Sequence, residues 1–506
     1  MRLGSLRRST TILKPDSSRV LVRPHVPGGA DRRSRIISRL VCLDEERVRS
    51  LAARVFDRFE RRHPQYREVL EQVFGMVARA LPDDRPVSKD LKLLIAAAFA
   101  QEYALEAAAL FNPSIVPHPD QSGMPAGHLR FVLSLRATGE GHVSSLVFRE
   151  GEISPDGEIH VYRPSPFVME GRKEPNPSFD TRLFREKLGE IGQWNKTAAV
   201  LLEGLGPTFS QRELEGALRD AERRDRDLSE KARRTIGHMR KLLYSHYEVV
   251  FPSDQPISEQ ALYPSGPAER VGIEDARFVD FAEEDGRRVY YAVYTAFDGE
   301  SMLPSLLQTS DFRRFVVSTL NGPEVENKGM ALFPRRIGER YVMVGRQDNE
   351  NLYLMFSQHL LFWHEKALLL RPTFPWECVQ IGNCGAPLET DRGWLLFTHG
   401  VGPMRTYSIG AVLLDRDDPA RVLGRTPEPL IEPLSSEHDA YVPNVVYSCG
   451  GLIHREHVVL PYAMSDYSTT FAVFDLAELL DLLERCGPHG LGCEDQTDRS
   501  VNGGSV

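Results

Sequence analysis

The chain has 506 residues, of which 41% are hydrophobic and 26% charged, and its formal net charge at pH 7 is −9. This composition is ordinary for a globular protein with a large core, and the negative charge argues against nonspecific binding to nucleic acid or to an anionic membrane. The sequence lacks an apolar run long enough to span a bilayer, and its basic start lacks the apolar segment of a secretory signal, so a cytoplasmic location is expected.

The cysteines and the common catalytic motifs narrow the chemistry further. No C-x-x-C spacing occurs among the six cysteines, so neither a zinc site nor a disulfide framework is predicted, and no metal or organic cofactor is expected. The sequence also lacks a G-x-S-x-G nucleophile elbow, a Walker phosphate loop and an H-E-x-x-H metal motif. The cysteines are Cys42, Cys378, Cys384, Cys449, Cys486 and Cys493.

Helical patterns dominate the first fifth of the chain. Residues 1–38 are rich in Arg and Pro and are expected to form an irregular arm. In the predicted helical segment 39–104, Asp44 is placed to cap an amphipathic helix. Ser88 opens a later helix that is predicted to run through LKLLIAAAFAQEYALEAAAL, which is apolar on most faces and is therefore expected to be buried.

At FNPSIV the apolar period becomes that of β-strands. Short runs such as RFVLSLRATG and SSLVFREGEI are separated by turn signals, and after residue 270 strands fill most of the chain. A helical stretch at about residues 180–247 interrupts them, where Ser210 and Glu213 form a capping box before one long charged helix. The pattern predicts a mainly β fold, either a propeller or a sandwich. Residues 481–506 are expected to be a flexible tail.

Two adjacent acids mark the start of one predicted strand. Glu274 and Asp275 lie close to Arg277 and are followed by the apolar run VYYAVYT, which ends at the turn Asp298-Gly299. Acids at a strand end beside aromatic residues are typical of a partly buried site, where burial and neighbouring charges tune acidity. A salt-bridged surface turn is the alternative interpretation.

Further polar clusters occur at the predicted strand ends of the β region. Each joins a basic or amide side chain to a Gly or Pro turn and an aromatic residue. Taken singly, most of these clusters fit a structural role as well as a functional one. They are NKGMALFPRR (327–336), VGRQDNENLYLMFS (344–357), PWECVQIGNCGAP (375–387), FTHGVGP (397–403) and YVPNVVYSCG (441–450).

Six ordered motifs carry a resemblance to a known family. They are EDAR with the downstream YTAFDG, then NKGMALFP, WECVQIG, GWLLFTHGVGP, YSIGAVLLDRDDPARVLGRT and YVPNVVYSCG. Together they resemble glycoside hydrolase family 130, which comprises inverting β-mannoside phosphorylases and β-1,2-mannosidases built on a five-bladed β-propeller. The resemblance covers about residues 105–175 and 240–480. It implies a propeller domain over residues 105–480, with the N-terminal helices and the 180–247 helices as additions.

The resemblance also implies a mechanism. Asp275 would be the proton donor, acting through the 3-hydroxyl of the bound mannosyl unit, and Glu274 would orient the site or bind sugar hydroxyls. Inverting hydrolysis needs a second carboxylate as base, whereas inorganic phosphate is already anionic and needs a basic pocket. Further candidates for sugar binding are Asn112, Asp298, Asp348 and Tyr441, and candidates for phosphate binding are Lys328, Arg346, His399, Arg277 and Arg136.

The strand-end position of these residues predicts how they meet. Since strand ends from separate propeller blades converge, a shared site on the axis is expected for Asp275, Arg277, Lys328, Arg346 and His399. One departure stands out: the resemblance leads us to expect an arginine soon after the Asp298-Gly299 turn, but this chain has none before Arg313.

Three functions remain open at this level. The first is a phosphorylase that cleaves or forms β-mannosidic bonds, preferentially β-1,2, with phosphate as co-substrate. The second is a β-1,2-mannosidase that uses water, for which Asp298, Asp348 and Glu377 are candidate bases. The third is a non-catalytic propeller that binds glycans. The sequence leaves open the acceptor sugar, the physiological direction and whether the chain forms a homo-oligomer.

Overall fold

The computed structural model of the chain describes residues 4–81, 87–175, 178–224, 228–434 and 442–490. Its architecture is mainly β with helical additions, so the predicted fold class is confirmed at that level. None of the helices in these ranges is long and apolar enough to cross a bilayer.

The N-terminal part is less irregular than its composition predicts. Arg7 pairs with Val473 and Val20 pairs with Ala104, so parts of the 1–38 segment are strands. The prediction of an irregular arm is therefore wrong. The helix opened by Ser88 ends at Ala97, because the residues after it pair as a strand. The elements are β1 (Arg7–Arg8), β2 (Val20–Pro24), α1 (Ala30–Val41), α2 (Glu45–Phe59), α3 (Tyr66–Val77), α4 (Lys89–Ala97) and β3 (Ala100–Ala104).

Both predicted N-caps in this part are confirmed. The Asp44 carboxylate accepts a hydrogen bond from the Arg47 backbone N–H at 2.8 Å, and the Ser88 hydroxyl accepts one from Leu91 at 3.3 Å. These contacts satisfy backbone donors that the first helical turn leaves free. The four helices then bury one shared apolar cluster, which includes Ile37, Val48, Leu70, Val73, Ile95 and Phe99.

An antiparallel group of strands follows, in which β4, β5, β6 and β7 pair in order. Its apolar residues alternate toward a core that the first and last strand groups share, and Phe131, Leu133 and Phe471 belong to this core. The elements are β4 (Ala109–Pro117), β5 (Leu129–Thr138), β6 (Ser144–Ile153), β7 (Ile159–Val161), β8 (Met169–Glu170) and β9 (Arg172–Pro175).

The predicted helical interruption is present, but it does not contain one long helix. The capping box is confirmed: the Ser210 backbone N–H donates to the Glu213 carboxylate at 2.7 Å, and the Glu213 N–H donates to the Ser210 hydroxyl at 3.3 Å. Ser229 caps a second helix, so two shorter helices pack their apolar faces together. The elements are β10 (Phe179–Asp180), α5 (Thr181–Glu190), α6 (Lys196–Glu203), β11 (Thr208–Phe209), α7 (Gln211–Arg224) and α8 (Glu230–Leu243).

The second strand group carries the acidic pair. Its strands β14, β15, β16 and β17 form antiparallel pairs, and β12 adds to β17. This group and the first form one twelve-stranded sheet, in which Gly272 bridges to Ser144, β13 pairs with β6 and β12 pairs with β9. The elements are β12 (Tyr247–Val250), β13 (Gln260–Leu262), β14 (Gly272–Ala282), β15 (Arg288–Phe297), β16 (Met302–Thr309) and β17 (Arg314–Thr319).

Three smaller sheets complete the β region. The third group is β18 (Ala331–Leu332), β19 (Tyr341–Gly345), β20 (Leu352–Ser357) and β21 (Glu365–Leu370). The fourth group is β22 (Gln380–Asn383), β23 (Leu388–Thr390), β24 (Gly393–Val401), β25 (Tyr407–Leu414) and β26 (Val422–Arg425). The fifth group pairs with β1 and is β27 (Val446–Tyr447), β28 (Leu452–His454), β29 (His457–Met464) and β30 (Ser468–Asp475).

A C-terminal helix, α9 (Leu476–Cys486), closes the described chain. The predicted boundary at residue 480 therefore cuts this helix, and it is wrong because Leu479, Leu480 and Leu483 pack into the core of the last two strand groups. The remainder of the predicted tail, residues 491–506, lies outside the described residues.

Candidate active site

Two neighbouring β-bulges open the candidate site. The β4–β5 register shifts between Phe111 and Ser114, and the β14–β15 register shifts between Glu274 and Arg277. Each bulge contains a residue in the left-handed region, Asn112 with φ 49° and Asp275 with φ 54°. Such non-glycine conformations cost about 1–3 kcal/mol each and concentrate at functional sites, where a bulge redirects a side chain.

The two strained residues contact each other directly. Nδ2 of Asn112 donates a hydrogen bond to Oδ1 of Asp275 at 2.6 Å, and both side chains are buried. The bulges therefore bring an amide from the first strand group to the acid of the second. This contact joins two residues that the sequence analysis places in the sugar-binding and catalytic sets.

Arg136 holds both members of the acidic pair. Its Nη1 donates to Oδ1 of Asp275 at 3.1 Å, and its Nη2 donates to Oε1 of Glu274 at 2.9 Å. Nζ of Lys328 lies 3.6 Å from Oε2 of Glu274. Two of the predicted phosphate-binding cations therefore lie against the carboxylates in the unliganded protein.

Arg277 is buried among polar partners of no net charge. Its Nε donates to Oδ1 of Asn383 at 3.2 Å, its Nη1 to the Asp275 carbonyl at 2.9 Å, and its Nη2 to the Tyr447 hydroxyl at 2.6 Å. Asn383 and Tyr447 were not predicted as site residues. Both lie inside motifs that the sequence analysis quotes, but an amide and a tyrosine beside Gly and Pro turns do not by themselves indicate a role.

His399 is fully buried and lies beside Arg346. Its Nδ1 is 3.1 Å from the Asn383 carbonyl oxygen. A carbonyl only accepts, so Nδ1 carries the hydrogen and Nε2 presents its lone pair. Burial, with the charges of Arg346 and Arg277, holds the pKa of His399 well below its usual range, so the ring is neutral. Of the predicted phosphate-binding set, His399 is therefore the uncharged member and offers an acceptor.

Gly382 makes the close approach of His399 and Arg346 feasible. A Cβ at this position would lie 2.6 Å from Nε2 of His399 and 3.3 Å from Cδ of Arg346. Within the described ranges, neither His399 Nε2 nor Arg346 Nε has a hydrogen-bond partner, and both atoms are buried. Buried polar atoms without a partner call for an explanation, and one polar ligand at this place would satisfy both.

The charges around Asp275 act in opposite directions. Burial raises its pKa, but Arg136, Lys328 and Arg277 together outweigh burial and hold the pKa well below its usual range. Asp275 is therefore a carboxylate at neutral pH in this arrangement of charges. An anion that offset these cations would raise this pKa.

Asp466 is a site residue that the sequence analysis missed. It lies in the turn between β29 and β30, where Ser465 and Asp466 adopt φ values of 54° and 51°. Burial and the charge of Asp275 raise the pKa of Asp466 to about 6, although Arg136 and Lys328 act to lower it. The available signal was an acid two residues after the apolar strand HVVLPYAM, a strand-end position like that of Asp298.

Asp466→Asn is expected to stabilise the unliganded protein above pH 6. The folded state keeps the Asp466 proton up to about pH 6, whereas the ordinary pKa is 3.8, so the free energy of unfolding falls as pH rises through this window. Thermal denaturation of the wild type and the variant between pH 4 and pH 8 measures this. The stability difference should grow from pH 4 to pH 6 and then level off. Asp285→Asn, on an exposed turn, is the control, and a pH-independent difference for Asp466→Asn contradicts the assignment.

Two other predicted site acids accept hydrogen bonds within their own turns. Asp298 accepts hydrogen bonds from the backbone N–H of Ser301 at 2.7 Å and Glu300 at 3.0 Å, and it pairs with Lys241 of α8. Asp348 is exposed. It accepts hydrogen bonds from the backbone N–H groups of Glu350 and Asn351 and from the Tyr353 hydroxyl, at 2.7 to 2.9 Å. The carboxylate oxygens of Asp298 and Asp348 accept hydrogen bonds from donors of their own turns, and Asp298 also pairs with Lys241. Neither acid is therefore placed to act as the base that activates water.

Glu377 and Tyr441 complete the predicted set. Glu377 is fully buried, pairs with Arg425 and accepts the Thr373 backbone N–H at 2.9 Å, which fits a structural ion pair. Tyr441 lies outside the described residues. The structure thus brings together Asn112, Arg136, Glu274, Asp275, Arg277, Lys328, Arg346, His399 and the unpredicted Asn383, Tyr447 and Asp466.

Comparison with known proteins finds one family model whose match includes most residues of this site. A family model described as beta-1,4-mannooligosaccharide phosphorylase matches residues 253–485, which leaves Asn112 and Arg136 outside the matched range. The 1,2-beta-oligomannan phosphorylase of Thermoanaerobacter sp. (strain X514) is 32% identical over 41% of this chain and 70% of that protein. The beta-1,2-mannobiose phosphorylase of Listeria innocua serovar 6a is 28% identical over 44% of this chain and 63% of that protein.

A solved structure of beta-1,2-mannobiose phosphorylase from Listeria innocua, in complex with beta-1,2-mannobiose, is 20% identical with a TM-score of 0.44. The match covers 75% of this chain and 92% of the Listeria innocua chain. The sequence relatives are the stronger finding, since one is more than 30% identical and matched over more than two thirds of its length. The chain belongs to glycoside hydrolase family 130.

Proposed function

We propose that the chain is an inverting β-mannoside phosphorylase that acts on β-1,2-linked manno-oligosaccharides and inorganic phosphate. The observation that carries this proposal is that two buried guanidinium groups, those of Arg277 and Arg346, both approach Gly329. A Cβ on Gly329 would lie 3.2 Å from Nε of Arg346 and 3.7 Å from Nη2 of Arg277. Two like charges this close in a protein interior favour a bound anion, and phosphate matches the fork geometry of arginine.

Three further contacts support an anion site at this place. Nε of Arg346 is buried and has no partner among the described residues, while its Nη1 contacts the amide of Gln380. Lys328 lies next to Gly329 in the chain and faces Glu274. His399 offers a lone pair that can accept the hydrogen of a monoprotonated phosphate. A bound dianion would thus meet two or three cations and one acceptor.

A phosphate bound at this place would also explain how Asp275 gains the proton that it donates. Arg277 and Lys328 are among the cations that hold the pKa of Asp275 low, and a phosphate beside them offsets their charge. The pKa of Asp275 then rises, so the proposed proton donor gains its proton only when the nucleophile is in place. Asp275 and Asn112 remain within hydrogen-bond distance of each other and so present one edge to the sugar.

The proposed reaction breaks one bond and forms one at the anomeric carbon. A phosphate oxygen attacks C1 of the mannosyl unit on the face opposite the leaving oxygen, and the C1–O bond to the next sugar breaks. The Asp275 proton passes through the 3-hydroxyl to that oxygen, so the products are α-mannose 1-phosphate and the shortened sugar. Asn112, Glu274 and Asp466 are the proposed partners of the mannosyl hydroxyls.

The proposal includes a five-bladed propeller for the β region. Its support is that each strand group touches the next, and the fifth touches the first. The links are Ser144–Gly272, Ala282–Arg335, Glu350–Ile381, Tyr407–Val445 and Gly450–Ser114. A ring of this kind presents residues of all groups to one axis, which is the arrangement that the site requires.

Asp466 is the observation that favours the second candidate, a β-1,2-mannosidase. A carboxylate with a pKa of about 6 near Asp275 could act as the base that activates water. The pair of buried guanidinium groups at Gly329 is not needed in that reaction, so phosphorolysis remains the first proposal.

The test of the proposed function runs the reaction in reverse. Incubation with α-mannose 1-phosphate and mannose should release inorganic phosphate and form a β-1,2-linked disaccharide, measured by phosphate assay and by proton NMR. Phosphate release without disaccharide, or no reaction with any mannosyl acceptor, would contradict the proposal.

A further inference from the structure

A strained turn follows the strand that carries His399. The turn Pro403–Arg405 comes directly after β24, and it is closed by hydrogen bonds from Gly402 N–H to the Thr406 carbonyl at 2.9 Å and from Thr406 N–H to the Pro403 carbonyl at 3.2 Å. Met404 has φ 57° and Arg405 has φ 55°. Glycine would adopt this backbone without steric cost, so two consecutive larger residues here mark the turn as a candidate for function.

The two side chains of this turn reach outward. Met404 is 91% exposed, the highest value among the large hydrophobic residues that the structure describes, and Arg405 is also exposed. One exposed apolar residue needs no explanation by itself, so the location decides its meaning.

The turn lies at the edge of the catalytic cluster. Tyr407, two residues beyond it, stacks on His399 with ring centroids 6.0 Å apart. Arg405 is within electrostatic range of Asp466, which in turn senses the charge of Asp275. The turn thus has a buried end next to the reacting groups and an exposed end that carries Met404 and Arg405.

A second strained turn faces the first. Asp466 and Ser465 are also consecutive left-handed residues, in the β29–β30 hairpin. The parallel bridge between Tyr407 and Val445, and the hydrogen bond from the Ser465 N–H to the Val445 carbonyl at 2.7 Å, tie the two turns to the same short segment. Both turns are therefore held against one segment, and recognition of a sugar hydroxyl pattern requires side chains on such a fixed backbone.

We propose that the turn Pro403–Arg405 forms the subsite for the acceptor sugar, the unit that leaves in phosphorolysis and receives the mannosyl group in synthesis. Met404 packs its thioether and methylene groups on the apolar C–H face of that pyranose, and the Arg405 guanidinium donates to its hydroxyls. An unbranched thioether adapts to a sugar face, and a planar guanidinium presents several donors in fixed directions. This inference rests on the proposed action on mannosides, and it assigns acceptor choice to these two residues.

The test uses glycine substitutions, because glycine keeps the left-handed backbone and removes only the side chain. Met404→Gly and Arg405→Gly are compared with the wild type in synthesis, with mannose and β-1,2-mannobiose as acceptors. The KM for acceptor should rise about fivefold or more, as expected for loss of one partly desolvated contact, while the KM for α-mannose 1-phosphate changes less than about twofold. Met76→Ala, at an exposed methionine of α3, is the matched control and should change neither KM.

Two results would overturn this inference. One is an unchanged acceptor KM in both glycine variants with a normal melting temperature, and the other is an equal rise in the KM of donor and acceptor. If the wild type uses water and the proposed function fails, the subsite is tested separately. The variants should then lose kcat/KM for β-1,2-mannobiose but not for 4-nitrophenyl β-mannoside, whose leaving group is not a sugar. Equal losses on both substrates would overturn the subsite in that case.

Discussion

Asp275→Asn is expected to lower turnover by about two to four orders of magnitude, the usual contribution of a general acid. The amide keeps the shape and the oxygen that accepts the Asn112 hydrogen bond, but it cannot give a proton to the leaving oxygen. The measurement is kcat for phosphorolysis of β-1,2-mannobiose at saturating phosphate. A variant that retains more than about a tenth of the wild-type rate rules out Asp275 as the proton donor.

Loss of fold must be separated from loss of chemistry in this experiment. The charged form of Asp275 offsets Arg136, Lys328 and Arg277, so the amide variant is expected to unfold at a lower temperature at pH values above the ordinary pKa of 3.8. The contribution of a lowered pKa is lost as pH falls through the folded-state value, so wild type and variant should converge in strong acid. Binding of β-1,2-mannobiose by calorimetry at 20 °C should survive, which shows that the sugar site is intact.

Arg346→Ala is expected to raise the KM for phosphate about tenfold or more. Each charge-assisted hydrogen bond contributes about 1.5–3 kcal/mol, and about 1.4 kcal/mol corresponds to a factor of ten. The KM for the mannoside should change much less, because the carboxylates that face the sugar keep their contacts with Arg136 and Asn112. The measurement is the initial rate across a phosphate titration at saturating β-1,2-mannobiose.

Two further variants sharpen the interpretation. Lys328→Ala should show the same phosphate dependence with an additional effect on the mannoside, since Lys328 also lies 3.6 Å from Glu274. Arg287→Ala removes an arginine from an exposed hairpin turn, where it pairs with Asp285, and should leave both KM values unchanged. An unchanged phosphate KM in Arg346→Ala would place the anion elsewhere.

Local patterns were sufficient where a short segment determines its own structure. The Asp44 cap, the Ser210–Glu213 capping box and the strands with period two all depend on neighbours within a few residues, and these predictions are confirmed. The helix after Ser88 was extended too far because AQEYA has helical composition but pairs with β2, a contact across about eighty residues. Tertiary pairing overrides propensity in such segments.

Prediction of the site divides in the same way, between signals in the local sequence and contacts made by distant strands. Strand-end positions singled out the acidic pair and the polar motifs, and the resemblance supplied their roles. The bulges that turn Asn112 and Asp275 toward each other depend on pairing with other strands. Asp298, Asp348 and Asp466 carry the same sequence signal, an acid at a strand end. In the fold two of them accept turn hydrogen bonds, and only Asp466 faces Asp275. Spacing alone could not separate these cases.

The dependence of wild-type cleavage on phosphate distinguishes phosphorolysis from hydrolysis. β-1,2-Mannobiose is incubated with the protein across a phosphate titration, and α-mannose 1-phosphate and free mannose are quantified together. We expect the cleavage rate to rise with phosphate concentration to saturation. One molecule of α-mannose 1-phosphate and one of mannose should form for each bond cleaved. Two molecules of mannose per bond at full rate in phosphate-free buffer would contradict it and favour the mannosidase, with Asp466 as the base to test first.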